Sequence, residues 1–369
     1  MYHLFFSGIL VLIILNLSGA RDMITDLDFD DSLKMPRPLY IDVRSEREYQ
    51  EDHIPHSLNI PVFNDEERIQ VGLIYKNEGP EKARKAGLNI VAPKLPQLVK
   101  TIEEAALGKQ LILYCWRGGL RSYSLATILD LMNIRVFRLK GGYKRYRQWI
   151  NNYFQQERFS FEVIVIHGLT GTGKTGVIQK LAHLGAGAVD LEALANNRGS
   201  VFGNVGLEEQ PSQKLFESRL WDELHKNQEK KFIIVECESK RIGKITIPLS
   251  LFRGMREGRH ILLFDTIDNR VKRIISEYHV DRYGKELIEA LTRLKSRLGN
   301  ETVASLSQMI EKENYASAVE RLLIDYYDPL YQYPACPSRE YDMSIPFSDI
   351  SQTAAIIQKY LSTLEREMR

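Results

Sequence analysis

The sequence predicts an α/β protein with two consecutive domains, each built on a parallel sheet, the second ending in a mainly helical part. The length of 369 residues is that of two domains of ordinary size. Short apolar strands alternate with helical segments along most of the chain, which indicates parallel α/β units. The alternation lapses at INNYFQQERFS (150–160) and then resumes. We therefore predict domains over residues 23–155 and 156–369, preceded by an extension over residues 1–22.

The extension contains an uncharged, mostly apolar run, LFFSGILVLIILNLSGA (4–20). The run is shorter than the ~20 residues of a membrane-spanning helix, and only His3, with no Lys or Arg, precedes it. Because Met23 opens an ordinary polar segment, we interpret residues 1–22 as the product of an upstream start and expect no membrane association. The alternative is a signal peptide or a membrane anchor formed by residues 4–20.

The composition excludes several classes of protein. With 50 basic against 48 acidic residues and 44% apolar residues, the chain is neither disordered nor strongly charged. Its three cysteines, at 115, 237 and 336, are too few for a disulfide framework and lack the C-x-x-C spacing of a zinc site. We therefore expect a cytoplasmic protein in which any functional cysteine works as a thiol.

In the first domain, strands are predicted at LYIDV (39–43), LILYC (111–115) and RVFRL (135–139), with helical spacing in SEREYQEDH and RSYSLATILDLM. The second of these strands delivers Cys115 into the glycine-containing loop CWRGGLRS, which a helix follows. Backbone N–H groups, the positive end of that helix and the nearby arginines all stabilise a thiolate. We predict Cys115 as a nucleophile, surrounded by an anion-binding set formed by Arg117, Gly118, Gly119 and Arg121. The alternative is a cysteine that packs as a small apolar group.

In the second domain, strands are predicted at FEVIVIHG (161–168), KFIIVE (231–236) and HILLFD (260–265), and the segment from Asn269 to Tyr331 is predicted to be mainly helical. The first strand runs into GLTGTGKT, a match to the phosphate-binding pattern G-x-x-x-x-G-K-[ST] between a strand and a helix. The glycines let the backbone wrap a phosphate, the lysine adds a charge, and the threonine hydroxyl suits Mg²⁺. The predicted phosphate-binding residues are Gly168, Gly171, Thr172, Gly173, Lys174 and Thr175.

Glu236 ends the second strand where a metal-binding aspartate is usual, and Glu238 follows two residues later. Either carboxylate can orient a metal ion or a water molecule, and a solvated strand end is the alternative, so the residues alone assign no metal ligand. The loop is therefore compatible with binding a diphosphate without hydrolysing a nucleotide.

A basic stripe, RVFRLKGGYKRYRQWINNYFQQER, spans the end of the first domain. Lysines and arginines interleaved with aromatic rings suit an RNA backbone with exposed bases. The candidate nucleic-acid-binding residues are Lys140, Lys144, Arg145 and Arg147, and a plausible extension comprises Arg270, Lys272, Arg273, Arg293, Lys295 and Arg297. The alternative is a solvated helix whose aromatic side chains pack inside.

The segment MPRPLYIDVRSEREYQEDHIPHSLNIP, followed by CWRGGLRS, resembles a rhodanese domain. The resemblance implies architectural roles for Asp42, Arg44, Glu48, His53 and Pro55. It also implies a cysteine that carries sulfur or selenium. The spacing C-x5-R is shared with the related phosphatases, so the loop alone leaves sulfur transfer and phosphate chemistry open.

Longer tracts resemble the tRNA 2-selenouridine synthase family: NIPVFNDEERIQVGLIYKNEGPEKARKAGLNIV, GGYKRYR, GLTGTGKT, VDLEALANNRGSVFG and YYDPLYQY. The resemblance implies an enzyme that converts the wobble 2-thiouridine of tRNA to 2-selenouridine, with selenophosphate as donor and S-geranylation from geranyl diphosphate as an associated activity. It implies tRNA as a partner, a selenophosphate-supplying enzyme as a further one, and Mg²⁺ on Thr175 as an optional cofactor. Cys115 would either carry a covalent selenium adduct or assist attack on the base.

Two alternatives remain from other classes of protein. One is a rhodanese-type sulfurtransferase coupled to a nucleotide-hydrolysing P-loop domain, and the other is a tRNA-binding module without catalysis. The sequence makes no prediction of oligomeric state.

Overall fold

The computed structural model describes residues 24–278 and 280–368. The chain divides into two compact units, the first ending at Tyr153 and the second beginning at Phe154. The apolar run at 4–20 and Met23 lie outside the described residues. Within the part that is described, no helix is both long and apolar enough to cross a membrane.

The first unit is built on a five-stranded parallel sheet in the order β1-β5-β4-β2-β3. Its strands are β1 (Ile24–Leu27), β2 (Pro38–Asp42), β3 (Leu58–Asn59), β4 (Gln110–Tyr114) and β5 (Val136–Leu139). Its helices are α1 (Phe29–Leu33), α2 (Glu46–Glu51), α3 (Asp65–Glu78), α4 (Pro80–Val91), α5 (Leu95–Ala106), α6 (Leu120–Leu131) and α7 (Gly142–Gln155), the last running past the unit boundary. The three predicted strands are confirmed as β2, β4 and β5.

The central strands of this sheet read as continuous apolar runs because helices cover both of their faces. Leu111, Leu113 and Ile41 are buried in the core. Beside them, the buried Arg44 binds the Asp42 carboxylate through Nη2 at 2.6 Å and the Asp52 carbonyl oxygen at 2.7 Å. This buried network ties the segment after β2 to the segment before β3.

The second unit is built on a four-stranded parallel sheet in the order β11-β10-β6-β7. Its strands are β6 (Glu162–His167), β7 (Phe232–Glu236), β10 (Arg259–Phe264) and β11 (Met343–Pro346), and a small antiparallel ribbon joins β8 (Arg241–Ile242) to β9 (Ile245–Thr246). The helices around this sheet are α8 (Lys174–His183), α9 (Leu191–Ala195), α10 (Gln213–Lys226), α11 (Leu249–Glu257) and the C-terminal α18 (Ile350–Glu367). The predicted strands correspond to β6, β7 and β10, and β11 was not predicted, because a short strand with a single buried residue, Ile345, has no periodic pattern.

The segment after β10 is helical, as predicted, and forms its own apolar core. Its helices are α12 (Ile267–Tyr278), α13 (Val280–Thr292), α14 (Lys295–Leu298), α15 (Asn300–Glu311), α16 (Tyr315–Leu322) and α17 (Asp328–Tyr331). A π-helical turn, Leu323–Tyr327, joins the last two. Residues of this core, including Phe202 and Tyr327, also pack beside the loop that follows β6.

Candidate active sites

The first candidate site is the loop after β4, where Cys115 follows the last strand residue. Cys115 is 3% exposed and packs in the apolar core of the first unit. Its Sγ lies 3.2 Å from Ser122 Oγ and 3.8 Å from the Gly119 carbonyl oxygen. The thiol therefore lies at the base of the loop, beside the Ser122 hydroxyl. The outer side of the loop is exposed at Arg117 and Gly119.

The start of α7 fastens this loop. The backbone N–H groups of Tyr143 and Lys144 donate to the carbonyl oxygens of Cys115 and Trp116, both at 2.9 Å. Gly142 has a φ of 57°, and a Cβ on it would collide with the Cys115 carbonyl oxygen. The GGYKR segment, expected at the sequence level to bind RNA, thus also has a backbone role in positioning the cysteine loop.

The two arginines near the thiol differ in solvent exposure and in their ion-pair partners. Arg117 is exposed, whereas Arg121 binds the Glu48 carboxylate through Nη1 at 2.6 Å and is 15% exposed. Burial disfavours the charged form of Glu48, but the hydrogen bond and charge of Arg121 lower its pKa below the ordinary value. Because this carboxylate already neutralises Arg121, Arg117 is the guanidinium that is open to an incoming anion.

The second candidate site is the loop between β6 and α8. Gly171 and Gly173 have φ values of 79° and 90°, a conformation that side chains with a Cβ rarely adopt. The Lys174 Nζ donates to the Gly168 carbonyl oxygen at 2.8 Å, so the lysine folds over its own loop. Thr172 is buried, with its hydroxyl bonded to the Leu169 carbonyl oxygen at 2.5 Å. Backbone of this conformation is typical of anion-binding nests, and the loop borders a cavity of about 520 Å³.

Two arginines from α12 support the phosphate loop. Arg270, 2% exposed, donates through Nε to the Thr170 carbonyl oxygen at 2.8 Å and pairs with Asp328. Arg273 donates to the Gly171 carbonyl oxygen and to Asp265 at 2.9 Å. These contacts differ from the expectation that both arginines extend an RNA-binding face, because their guanidinium groups are engaged by the loop itself.

Acidic side chains face the loop from the opposite side. The Thr175 hydroxyl donates to Glu192 and to Glu236, at 3.3 Å in each case, and the Glu192 N–H donates to Glu236 at 3.1 Å. Burial and the charge of Glu238 raise the pKa of Glu192 to about 8, and burial and Glu236 raise that of Glu238 to about 7. Burial, together with Glu192, holds the pKa of Glu236 well above its ordinary range.

Sequence reasoning singled out Glu236 and Glu238 but missed Glu192. The only signal for Glu192 was its place in the tract VDLEALANNRGSVFG. Across residues 24–278 and 280–368, no group of three or more His, Cys, Asp or Glu side chains forms a ready metal site. Since Mg²⁺ is usually bound by one or two carboxylates together with phosphate oxygens, Thr175 and Glu236 fit such an ion only when a phosphate is present.

Aromatic side chains line the same cavity. Tyr331 and Tyr333 both face it, and their rings stack with centroids 6.0 Å apart and planes inclined by 8°. Tyr327 stacks on Tyr331 in turn, at 6.3 Å. Such a face can stack a planar base next to the phosphate loop. Both tyrosines belong to the tract YYDPLYQY, whose pattern alone predicts no role for them.

The basic stripe combines features of both interpretations, the RNA-binding surface and the solvated helix whose aromatic side chains pack inside. Lys140, Lys144 and Arg145 are exposed, whereas Arg147 lies 3.9 Å from the Asp52 carboxylate and is 13% exposed. The aromatic rings at 143, 146 and 154 are buried, so they stabilise the fold and do not stack on bases. The buried aromatics result from the amphipathic spacing of α7, which the composition of the stripe conceals.

The two loops and their sheets define a class of protein in which a rhodanese-like domain with a thiol loop is fused to a P-loop domain. A model of the rhodanese-like domain matches residues 25–148, and a model of the tRNA 2-selenouridine synthase AAA domain matches residues 161–363.

Known proteins resemble the chain over most of its length. It is 33% identical over 324 residues to the tRNA 2-selenouridine synthase of Shewanella halifaxensis (strain HAW-EB4), covering 79% of this chain and 87% of that one. It is 32% identical over 336 residues to that of Sulfurovum sp. (strain NBC37-1), covering 83% and 91%. The crystal structure of an N-terminal domain from Clostridium difficile 630 is 37% identical over 34% of this chain and 98% of that one, with a TM-score of 0.34. The chain belongs to the tRNA 2-selenouridine synthase family.

Proposed function

We propose that this protein converts the wobble 2-thiouridine of tRNA to 2-selenouridine in two steps, with geranyl diphosphate as activating reagent and selenophosphate as selenium donor. The observation that carries the proposal is the presence in one chain of two different glycine-containing loops, each between a parallel strand and a helix. One follows a cysteine, and the other carries Lys174 beside an aromatic wall. The proposed partners are tRNA and a selenophosphate-supplying enzyme, and the proposed location is the cytoplasm.

The first step takes place at the P-loop. The sulfur on C2 of the base attacks C1 of geranyl diphosphate, the C1–O bond breaks, and diphosphate leaves with the bonding electrons. The N3 proton of the base is lost in the same step and is taken up by the departing diphosphate. Negative charge grows on the departing oxygen, so the N–H groups of residues 171–175 and the Lys174 ammonium stabilise the transition state. Tyr331 and Tyr333 offer the base a stacking surface in the same cavity.

Magnesium is compatible with this step. The Thr175 hydroxyl and the Glu236 carboxylate lie together at the start of α8, and the ion would supply positive charge to the diphosphate. Beside this pair, burial and neighbouring carboxylates raise the pKa of Glu192 to about 8 and that of Glu238 to about 7, so these carboxyl groups hold protons near neutral pH.

The second step takes place at the cysteine loop. Selenium of hydrogen selenophosphate attacks C2, the C2–S bond breaks, and geranylthiol leaves with a proton. Water then cleaves the P–Se bond, which yields hydrogen phosphate and leaves a proton on N3 of the selenated base. The Cys115 thiol assists this attack without forming a bond to selenium, while Arg117 and the N–H groups at Gly118 and Gly119 bind the phosphate of selenophosphate. Arg121, paired with Glu48, orients the start of α6.

The experiment separates the two steps. Cys115→Ala should lose selenation of S-geranyl-tRNA and retain geranylation of thiolated tRNA, whereas Lys174→Ala should lose geranylation. Cys336→Ala, which changes an exposed cysteine, is the control. Mass spectrometry of wobble nucleosides after reaction with purified tRNA measures both products. Full selenation by Cys115→Ala would contradict the role of the thiol.

A second candidate function is sulfur transfer coupled to nucleotide hydrolysis. The contact of Glu236 with Thr175 favours it, since that pair resembles the magnesium-binding arrangement of a nucleotide-hydrolysing P-loop. ATP or GTP turnover that Lys174→Ala abolishes and that tRNA does not affect would support this candidate over the two-step reaction.

A further inference from the structure

The first unit contains a cavity of about 660 Å³ that neither proposed step uses. It lies between α3, α4 and α6, and we refer to it as the helical groove. Apolar side chains form most of its lining. Representative lining residues are Val71, Tyr75, Leu88, Leu120, Leu125 and Ile128. The volume is within the roughly 300–1,000 Å³ of small-molecule sites.

Large apolar side chains of this groove are open to solvent. Leu88 is 64% exposed, Leu120 62% and Tyr75 62%. Small residues form part of its floor, since Ala83 is buried there and a Cβ on Gly87 would lie 3.2 Å from the Phe63 ring. Exposed apolar rims around a concave floor are typical of a site that an apolar ligand covers.

The groove is continuous with the cysteine loop. Leu120 and Arg121 line the groove and are also the first two residues of α6, which begins directly after the loop. Val62, Phe63 and Leu125 line the groove and pack in the same core as Cys115. A molecule whose reacting end lies at the loop can therefore extend an apolar chain into the groove.

We propose that the helical groove binds the geranyl chain of the S-geranylated nucleoside during selenation. This inference rests on the proposed two-step function, in which the sulfur to be displaced carries a branched ten-carbon hydrocarbon. Binding of that chain places the C2–S bond at the cysteine loop and discriminates geranylated tRNA from unreacted thiolated tRNA, which has nothing to fill the groove. The chain leaves with its sulfur as geranylthiol.

Two variants test the groove without disturbing the core. Leu88→Glu places a charge on an exposed position of the lining, and Ser124→Trp fills the groove from α6. Leu107→Glu changes a leucine that is 80% exposed and lies outside the lining, so it is the matched control. Single-turnover selenation of purified S-geranyl-tRNA and geranylation of thiolated tRNA are measured separately for each variant.

We expect each groove variant to raise the half-saturating concentration of S-geranyl-tRNA in selenation by about tenfold or more. Geranylation should change by less than about twofold, because that step takes place in the other unit. We also compare selenation of tRNA that carries S-dimethylallyl with selenation of S-geranyl-tRNA. The wild-type protein should selenate the S-dimethylallyl substrate less efficiently, whereas the groove variants should selenate the two substrates with similar efficiency. This loss of chain-length discrimination is a readout that general damage to the fold would not produce.

The outcomes separate the two proposals. If wild-type protein does not selenate S-geranyl-tRNA, the two-step function fails and the groove assignment fails with it. If wild-type protein does so but the groove variants keep its kinetics and chain-length preference, the groove assignment alone is overturned. Equal losses in both reactions, or lost binding of a selenophosphate-supplying enzyme with unchanged kinetics on S-geranyl-tRNA, also overturn it.

Discussion

Arg270 donates through Nε to the carbonyl oxygen of Thr170, at 2.8 Å, across 100 residues of sequence. The same guanidinium forms a two-pronged ion pair with Asp328, at 3.0 and 2.5 Å. A buried arginine thus links the phosphate loop to α17 at the end of the helical region. The shape of the loop depends on this helical region as well as on its own glycines.

Arg270→Met should therefore lower the free energy of unfolding by about 3 kcal/mol, because it leaves Asp328 and a loop carbonyl without their partner. It should also weaken diphosphate binding. Urea unfolding and titration calorimetry with diphosphate measure the two effects. Arg293→Met, at an exposed position of the same helical region, should change stability by less than about 0.5 kcal/mol. Equal stability of both variants would contradict this prediction.

The stability of the wild-type protein should fall as the pH rises from about 5 to 8 in the absence of metal and phosphate. Burial and Glu238 raise the pKa of Glu192 to about 8, so the folded state keeps a proton that the unfolded chain releases at lower pH. Glu192→Gln removes this titrating group and should flatten the dependence of the unfolding free energy on pH. Relative to the wild type, the variant should gain roughly 2 kcal/mol of unfolding free energy at pH 8. Urea unfolding at several pH values measures it. Parallel curves for the wild type and Glu192→Gln would refute the assignment, and exposed Glu208→Gln should match the wild type.

Gly142→Ala should disrupt the cysteine loop, because its Cβ would meet the Cys115 carbonyl oxygen while φ is 57°. We expect a loss of about 3 kcal/mol in unfolding free energy and a marked loss of selenation, with geranylation retained. Gly119→Ala is the matched control, since a Cβ there meets no described atom within 4 Å. Thermal unfolding and both partial reactions would show the difference, and equal tolerance of the two substitutions would count against the role of Gly142.

The exposed residues Lys144 and Arg145 should contact tRNA phosphates. Replacing both by alanine should reduce the slope of log affinity against log salt concentration by about 1.5. Filter binding over a range of salt concentrations measures this slope. Lys82→Ala with Lys85→Ala removes two lysines of α4 that pair with Glu78 and Glu81, and should leave the slope unchanged. An unchanged slope for the first pair would exclude these contacts.

Local sequence patterns predicted the parts of this protein whose causes are local. The strands at 39–43, 111–115 and 231–236 were predicted because buried parallel strands are continuous apolar runs. The phosphate loop was predicted because a backbone nest requires glycines at fixed spacing between a strand and a helix. Family resemblance to the tRNA 2-selenouridine synthases was also visible in contiguous tracts.

The partners of individual side chains were decided only by the tertiary structure. Arg121 was expected to bind an anion near Cys115 and instead binds Glu48, 73 residues away in sequence. Arg273 was expected on an RNA-binding face and instead binds Asp265 and the phosphate loop. A charged side chain binds whichever opposite charge folding brings within reach. Partners of this kind are distant in sequence, so no periodic pattern in the sequence predicts them.

The same limit applies to burial and to cavities. The rings of Tyr143 and Tyr146 are buried because Tyr143 packs against Arg44 and Tyr146 against Phe29, although their composition suits a nucleic-acid surface equally well. The helical groove arises where three helices leave a space between them, and no contiguous segment encodes it. The sequence by itself determined the two sheets, the two loops and the family. The packing of distant segments decided which charges are available, how deeply Cys115 lies and where an apolar chain can bind.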